Sequence, residues 1–217
     1  MEETGQNLTQ GFTMSRSYRF LFGPLAAVLL FFGIVGLALM VPGYSHIHQT
    51  VSEIGELGSP ARIPFAMMLC CDAACILIFA WAIRDMSIVS GHTPWAAYLV
   101  GAMAISAAGA GVFAFPHPLH NVFGISEVIG YQAPLAFALT WRRDPRARVV
   151  VAVSWVMFVL IWSALALNLI AIYRHGPIWD YLRPIYGVVQ RTLFATWWTW
   201  CALIGALLFR QKWLLRG

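Results

Sequence analysis

Long apolar runs separated by short polar breaks dominate the chain. The runs fall at about residues 18–41, 63–83, 95–115, 121–141, 149–173 and 185–209. Each comes near the roughly 17–25 residues that one helix needs to cross a hydrocarbon core of about 30 Å. In lipid the backbone must satisfy its own hydrogen bonds, so the pattern predicts an all-α polytopic bundle of six transmembrane helices. The breaks carry helix punctuation. Pro42-Gly43 closes the first run, Pro60 and Pro64 open the second, Pro94 opens the third, Pro116 and Pro118 separate the third from the fourth, and Pro184 opens the sixth. The third run, from Gly101 to Gly111, is dense in Gly, Ala and Ser. Small residues let helix backbones approach closely, which predicts that this helix is central and most buried. The organisation expected is a tail at 1–17, a six-helix domain at 18–210 and a short tail at 211–217.

Composition supports this reading. Of the 217 residues, 60% are hydrophobic and 11% charged, and mean hydropathy is +0.71, whereas soluble domains carry about 25% charge. Lipid is the expected partner. The net charge of +5 marks orientation rather than a nucleic-acid surface, and no nucleic-acid partner is expected. With the amino terminus inside, that side collects Arg16, Arg19, Arg84, Arg142, Arg143, Arg146, Arg148, Arg210, Lys212 and Arg216, while the other holds Arg62, Arg174 and Arg183. By the positive-inside rule both termini face the cytoplasm of a cell membrane, and the loops 43–62, 116–120 and 174–184 face outward. The run Arg142-Arg-Asp-Pro-Arg-Ala-Arg148 reads as the topological anchor. Tyr18, Trp95, Trp141, Tyr173, Trp179, Tyr181 and Trp213 sit near the predicted boundaries, as interfacial aromatics do. Cys70, Cys71, Cys75 and Cys201 lie inside apolar runs and imply no disulfide framework.

Polar groups retained within the spans are the candidates for chemistry, because a central charge costs roughly 2.5–3.5 kcal/mol to insert. Asp72, Glu127 and Arg191 are such groups. At about 1.5 Å of rise per residue, Glu127 and Arg191 lie about two turns below the outer boundary and Asp72 near the midplane, so all three can meet in one outward-opening cavity. The bland alternative is a structural Glu127–Arg191 ion pair. His120, Gly124, Glu127 and Tyr131 follow three-and-four spacing and form a polar stripe on the fourth helix. His46, His48, His117 and His120 stand in or beside the outer loops with Ser52, Glu53 and Glu56 nearby. Imidazole and carboxylate groups of this kind are candidate ligands for a divalent metal, although no His-Glu-X-X-His signature anchors them. Ser52, followed by Glu53, reads equally well as a helix cap.

Val51-Ser-Glu-Ile-Gly-Glu-Leu-Gly58 followed by Pro60, and Phe115-Pro-His-Pro-Leu-His-Asn-Val-Phe-Gly124, carry a resemblance. The chain resembles the bacterial and archaeal membrane proteins grouped as domain of unknown function 998, over nearly its whole length. That resemblance implies six membrane helices, singles out Ser52, Glu53, Gly55 and His120, and implies no established activity. The function expected first is an outward-facing site for a lipid or small ligand, with Glu127, Arg191, Asp72 and Tyr131 as ligand-binding candidates. Alternatives are a metal-dependent hydrolase acting on lipid, with Ser52, Glu53, His120, Glu127 or Asp72 as catalytic candidates, a small-solute or proton-coupled transporter, and a non-catalytic protein that forms homo-oligomers through small-residue helix faces.

Overall fold

The computed structural model describes residues 17–173 and 175–210, the side chains of residues 171–173 excepted. Expectations placed on Arg16, Arg174, Lys212, Trp213 and Arg216, on the Tyr173 side chain, and on residues 1–16 and 211–217 lie outside the described residues. The described chain runs through a 3-10 turn at Arg19–Leu21 into α1 (Phe22–Ala38), then α2 (Arg62–Val89), α3 (Trp95–Val112), α4 (Pro118–Gly130), α5 (Ala133–Trp141), α6 (Arg148–Tyr173), α7 (Pro177–Leu182) and α8 (Tyr186–Arg210). Among the described residues there is no strand. Among the described residues six stretches are long and apolar enough to cross a membrane: Arg19–Ala38, Arg62–Val89, Trp95–Val112, Pro118–Trp141, Pro145–Ile170 and Pro177–Arg210. The protein is a multi-pass membrane protein built from helices.

Four local expectations need correction. Helix α2 continues to Val89 rather than stopping near residue 83. Much of the segment expected to be a loop before Pro184 is helical, as α7 and the 3-10 turn Arg183–Ile185. Trp141, expected to face the membrane interface, is fully buried in the protein at the end of its span, stacked on Phe137 and packed against His92. The fourth span is interrupted at Tyr131-Gln132 between α4 and α5. The cause is Pro134, which has no N–H to give to the carbonyl four residues earlier. That carbonyl, on Gly130, instead accepts the Trp197 indole N–H at 3.1 Å.

Consecutive spans pack pairwise, and α8 returns to α1, so the six close into a ring. The third span has the largest buried share of the six, but it sits between the second and fourth spans rather than at the centre. Side chains fill the middle. Trp197, Trp198 and Trp200 on α8 are buried, and their indole N–H groups reach three other spans: the Gly130 carbonyl, the Asp72 carboxylate and, at 3.0 Å, the Ser154 hydroxyl. One end of the ring is rich in arginine and is tied by Arg19 to Asp85 at 3.3 Å. There the Asp144 carboxylate accepts from the Arg146 backbone and side chain at 2.9–3.0 Å. The other end carries the long connection between α1 and α2, folded over the ring and containing the 3-10 helix Val51–Gly55.

Candidate functional site

The connection between α1 and α2 is fastened by groups drawn from the whole loop end. Thr50 and Glu53 form a capping box: Glu53 Oε1 accepts from the Thr50 N–H at 3.0 Å and from its hydroxyl at 2.8 Å. Thr50, not Ser52, is thus the cap of this short helix. Val51 N–H donates to Gln190 Oε1 on α8 at 2.7 Å. Gly55 is required because a Cβ there would collide with the Phe65 ring.

Arg191 holds the same connection from beneath. Its guanidinium donates to the carbonyls of His46 (2.9 Å), Gln49 (2.7 Å) and Gly187 (2.9 Å), and to the Tyr44 hydroxyl. The Glu127–Arg191 ion pair, the structural alternative for these two residues, does not form, because Arg191 is turned to the loop carbonyls. Glu127 instead accepts from the Tyr131 hydroxyl at 2.9 Å. Burial, and after it the Arg191 charge, lowers the His46 imidazole below its ordinary value. Burial raises the Tyr44 phenol although Arg191 opposes the shift.

Beneath this connection lies a cavity of about 590 Å³ to which all six spans contribute. Its volume lies within the roughly 300–1,000 Å³ of small-molecule sites. Ser52, Glu53 and His120 stand on its wall at the loop end. Glu127 and Tyr131 follow on the fourth span, about 10 Å and about 16 Å further along the helix axis from His120 at 1.5 Å per residue. Most of the remaining lining is apolar, from Leu30 and Phe65 to Leu165 and Phe194. Ile125 and Leu169 also belong to the lining, yet are 68% and 45% exposed. They mark an opening on the outer surface of the ring. It lies between α4, which carries Ile125, and α6, which carries Leu169: α4 packs against α3, and it is the neighbouring α5 that packs against α6.

His120 is 8% exposed and meets four groups. Its Nδ1 lies 2.9 Å from the Ala110 carbonyl and 3.0 Å from the Phe113 carbonyl, its Nε2 lies 2.9 Å from Ser52 Oγ, and the Phe115 ring stands edge-on to it. The polar stripe expected on the fourth helix is therefore realised, with His120, Gly124, Glu127 and Tyr131 all facing the cavity.

Two expected members of the site stand outside it. Asp72 has no exposed surface, and both of its oxygens share the Trp198 N–H at 3.2 and 3.1 Å. Trp198 lines the cavity and Asp72 does not, so the carboxylate lies behind the wall and does not meet Glu127 or Arg191. Arg191, likewise, is not part of the lining.

The four candidate metal-ligating histidines are not brought together. His48 Nδ1 contacts the Pro184 carbonyl, His117 Nδ1 caps α4 through the Leu119 N–H at 3.1 Å, and His46 packs edge-on against Tyr44. Among the described residues no three His, Cys, Asp or Glu side chains gather as a metal site. The four cysteines are unpaired.

Sequence reasoning missed Trp198 as a wall of the cavity and Gln190 as a tether of the loop. A signal for Trp198 was present: Trp197, Trp198 and Trp200 fall inside a span, away from the interface where tryptophan ordinarily concentrates. No curated protein and no solved structure matches the chain. The family model described as "Protein of unknown function (DUF998)" matches residues 24–207. That match takes in every membrane span in whole or in large part, together with the loop and helix entrance that build the cavity, and the chain belongs to this family.

Proposed function

We propose that the protein binds an acyl lipid, taken laterally from the outer half of a cell membrane, with both of its own termini in the cytoplasm. The observation that carries this reading is the cavity's opening. It is rimmed by the exposed apolar side chains of Ile125 and Leu169 on a surface that faces the bilayer. An apolar rim admits a hydrocarbon chain, while Ser52, His120, Glu127 and Tyr131 offer hydrogen bonds to its polar head. Orientation rests on charge. Arg84, Arg142, Arg143, Arg146, Arg148 and Arg210 belong to the end opposite the cavity, and Arg62 and Arg183 to the cavity's end, a bias that supports an outward-facing cavity.

The arrangement supports lipid binding over solute transport because Asp72 is sealed behind Trp198 and supplies no second polar station further along a path. The test is a photoactivatable monoacyl lipid applied to purified protein, with mapping of the labelled peptides. Labelling of lining residues that unlabelled lipid competes away, and that Ile125→Trp with Leu169→Trp diminishes at least fivefold, is the expected result. Labelling confined to the outer helix faces and insensitive to competitor would overturn the proposal.

A further inference from the structure

The hydrogen bonds around His120 determine which of its nitrogens carries the proton. Carbonyl oxygens only accept, and Nδ1 faces two of them, those of Ala110 and Phe113. Nδ1 therefore bears the hydrogen. A neutral imidazole has one donor and one acceptor nitrogen, so Nε2 is the acceptor and the Ser52 hydroxyl, 2.9 Å away, donates to it. A serine hydroxyl pointed at an imidazole whose far nitrogen is held by a third group is the arrangement that activates a nucleophile. Here two backbone carbonyls stand where a carboxylate often serves. Ser52 and His120 come from segments 68 positions apart in sequence, and both line the same cavity.

We propose that Ser52 is an acyl-accepting nucleophile and His120 its general base, so that the cavity hydrolyses the acyl ester of a lipid. This rests on the lipid-binding reading and names the reaction. His120 Nε2 takes the Ser52 proton as Oγ attacks the ester carbonyl. The carbon–oxygen bond to the alcohol breaks, and the imidazolium returns that proton to the departing alkoxide. Water then attacks the acyl-serine with His120 again as base. The serine–acyl bond breaks, the fatty acid leaves and Ser52 regains its proton from His120. The two carbonyls at Nδ1 stabilise the imidazolium in both halves. The side chain placed to donate to the developing oxyanion is Gln190. Its Oε1 is occupied by the N–H of Val51, next in the chain to Ser52, which leaves its NH2 group as the amide's donor on the cavity wall.

The experiment treats wild-type protein in lipid nanodiscs with a long-chain fluorophosphonate, identifies the modified residue by peptide mass spectrometry, and follows hydrolysis of a fluorogenic long-chain acyl ester. The expected result is a stoichiometric adduct on Ser52 with turnover of the ester. Ser52→Ala abolishes both, and His120→Gln slows both at least about 100-fold, the lower range for loss of a general base. Wild-type protein that captures the photoactivatable lipid in its cavity but acquires no Ser52 adduct and turns over no ester would overturn the nucleophile and leave the lipid site standing. Failure of the lipid to label the cavity would instead remove the binding reading beneath it. The adduct is sought in wild-type protein, so a variant that fails to fold does not affect the decision.

Discussion

Asp72 illustrates how a carboxyl group is kept inside a membrane span without a cation. Its oxygens share the one indole N–H of Trp198, and its side chain is sealed from both lipid and cavity. Removing one partner of a buried hydrogen bond leaves the other unsatisfied at about 1–3 kcal/mol, whereas replacing both with apolar groups is close to neutral. Trp198→Phe is therefore expected to lower the thermal unfolding midpoint in detergent, and Asp72→Leu combined with Trp198→Phe to recover most of the loss. If the double variant is no more stable than Trp198→Phe, Asp72 contributes through something other than this bond. Asp144 presents the opposite case, outside the spans. The Arg146 hydrogen bond pulls its carboxyl down to about 2 against the burial that opposes it. A depressed folded value stabilises the fold above the ordinary carboxylate pKa of about 3.9, and this contribution is lost as pH falls from there toward about 2. Unfolding midpoints measured at pH 5 and pH 2.5 are expected to drop less in Asp144→Asn than in wild type.

At the scale of elements, the loop between α1 and α2 depends on a close approach to α8. A Cβ on Gly187 would press into the carbonyl oxygens of His46, Ile47 and Gln49, the same carbonyl face that Arg191 grips. Backbone atoms cannot rotate away as a side-chain end can, so Gly187→Ala is expected to lift the loop at about 1–3 kcal/mol, the usual cost of overpacking. It should also expose residues 45–57 to limited proteolysis. Gly124 faces open space, and Gly124→Ala is expected to leave both readouts unchanged or to raise stability slightly, as helix propensity dictates. Equal protease sensitivity in the two variants would show that contact with α8 does not hold the loop. The interrupted fourth span follows the same logic. Pro134 frees the Gly130 carbonyl, and the Trp197 N–H that occupies it ties the break to α8.

At the scale of the molecule, the ring has unlike ends. The arginine-rich end is cross-tied by Arg19–Asp85 and carries the local Asp144–Arg146 pair, while the opposite end holds the cavity beneath a folded loop. Orientation in the membrane decides which leaflet supplies a ligand. A cysteine placed at Leu57 in a background lacking the four native cysteines is expected to react with a membrane-impermeant maleimide on intact cells, and one at Arg143 only after the membrane is opened. The reverse pattern would place the cavity on the inner leaflet.

Sequence alone determined the number of spans and the sites of most breaks, because apolar length and proline are local properties that lipid reads directly. It also indicated the loop around Ser52 and the entrance of the fourth helix, and it aligned His120, Glu127 and Tyr131, since helical spacing fixes which side chains share a face. Partnership was not legible. Glu127 and Arg191 carry opposite charges on different spans and lie at similar expected depth, yet only the packed structure shows Arg191 turned to the loop carbonyls and Glu127 bonded to its own helix neighbour Tyr131. Nor could spacing predict that Ser52 would meet His120 while His46, His48 and His117 are held elsewhere by Tyr44 and by backbone groups. A buried polar group takes whichever partner the packing of the ring brings within reach, and that choice belongs to the tertiary structure.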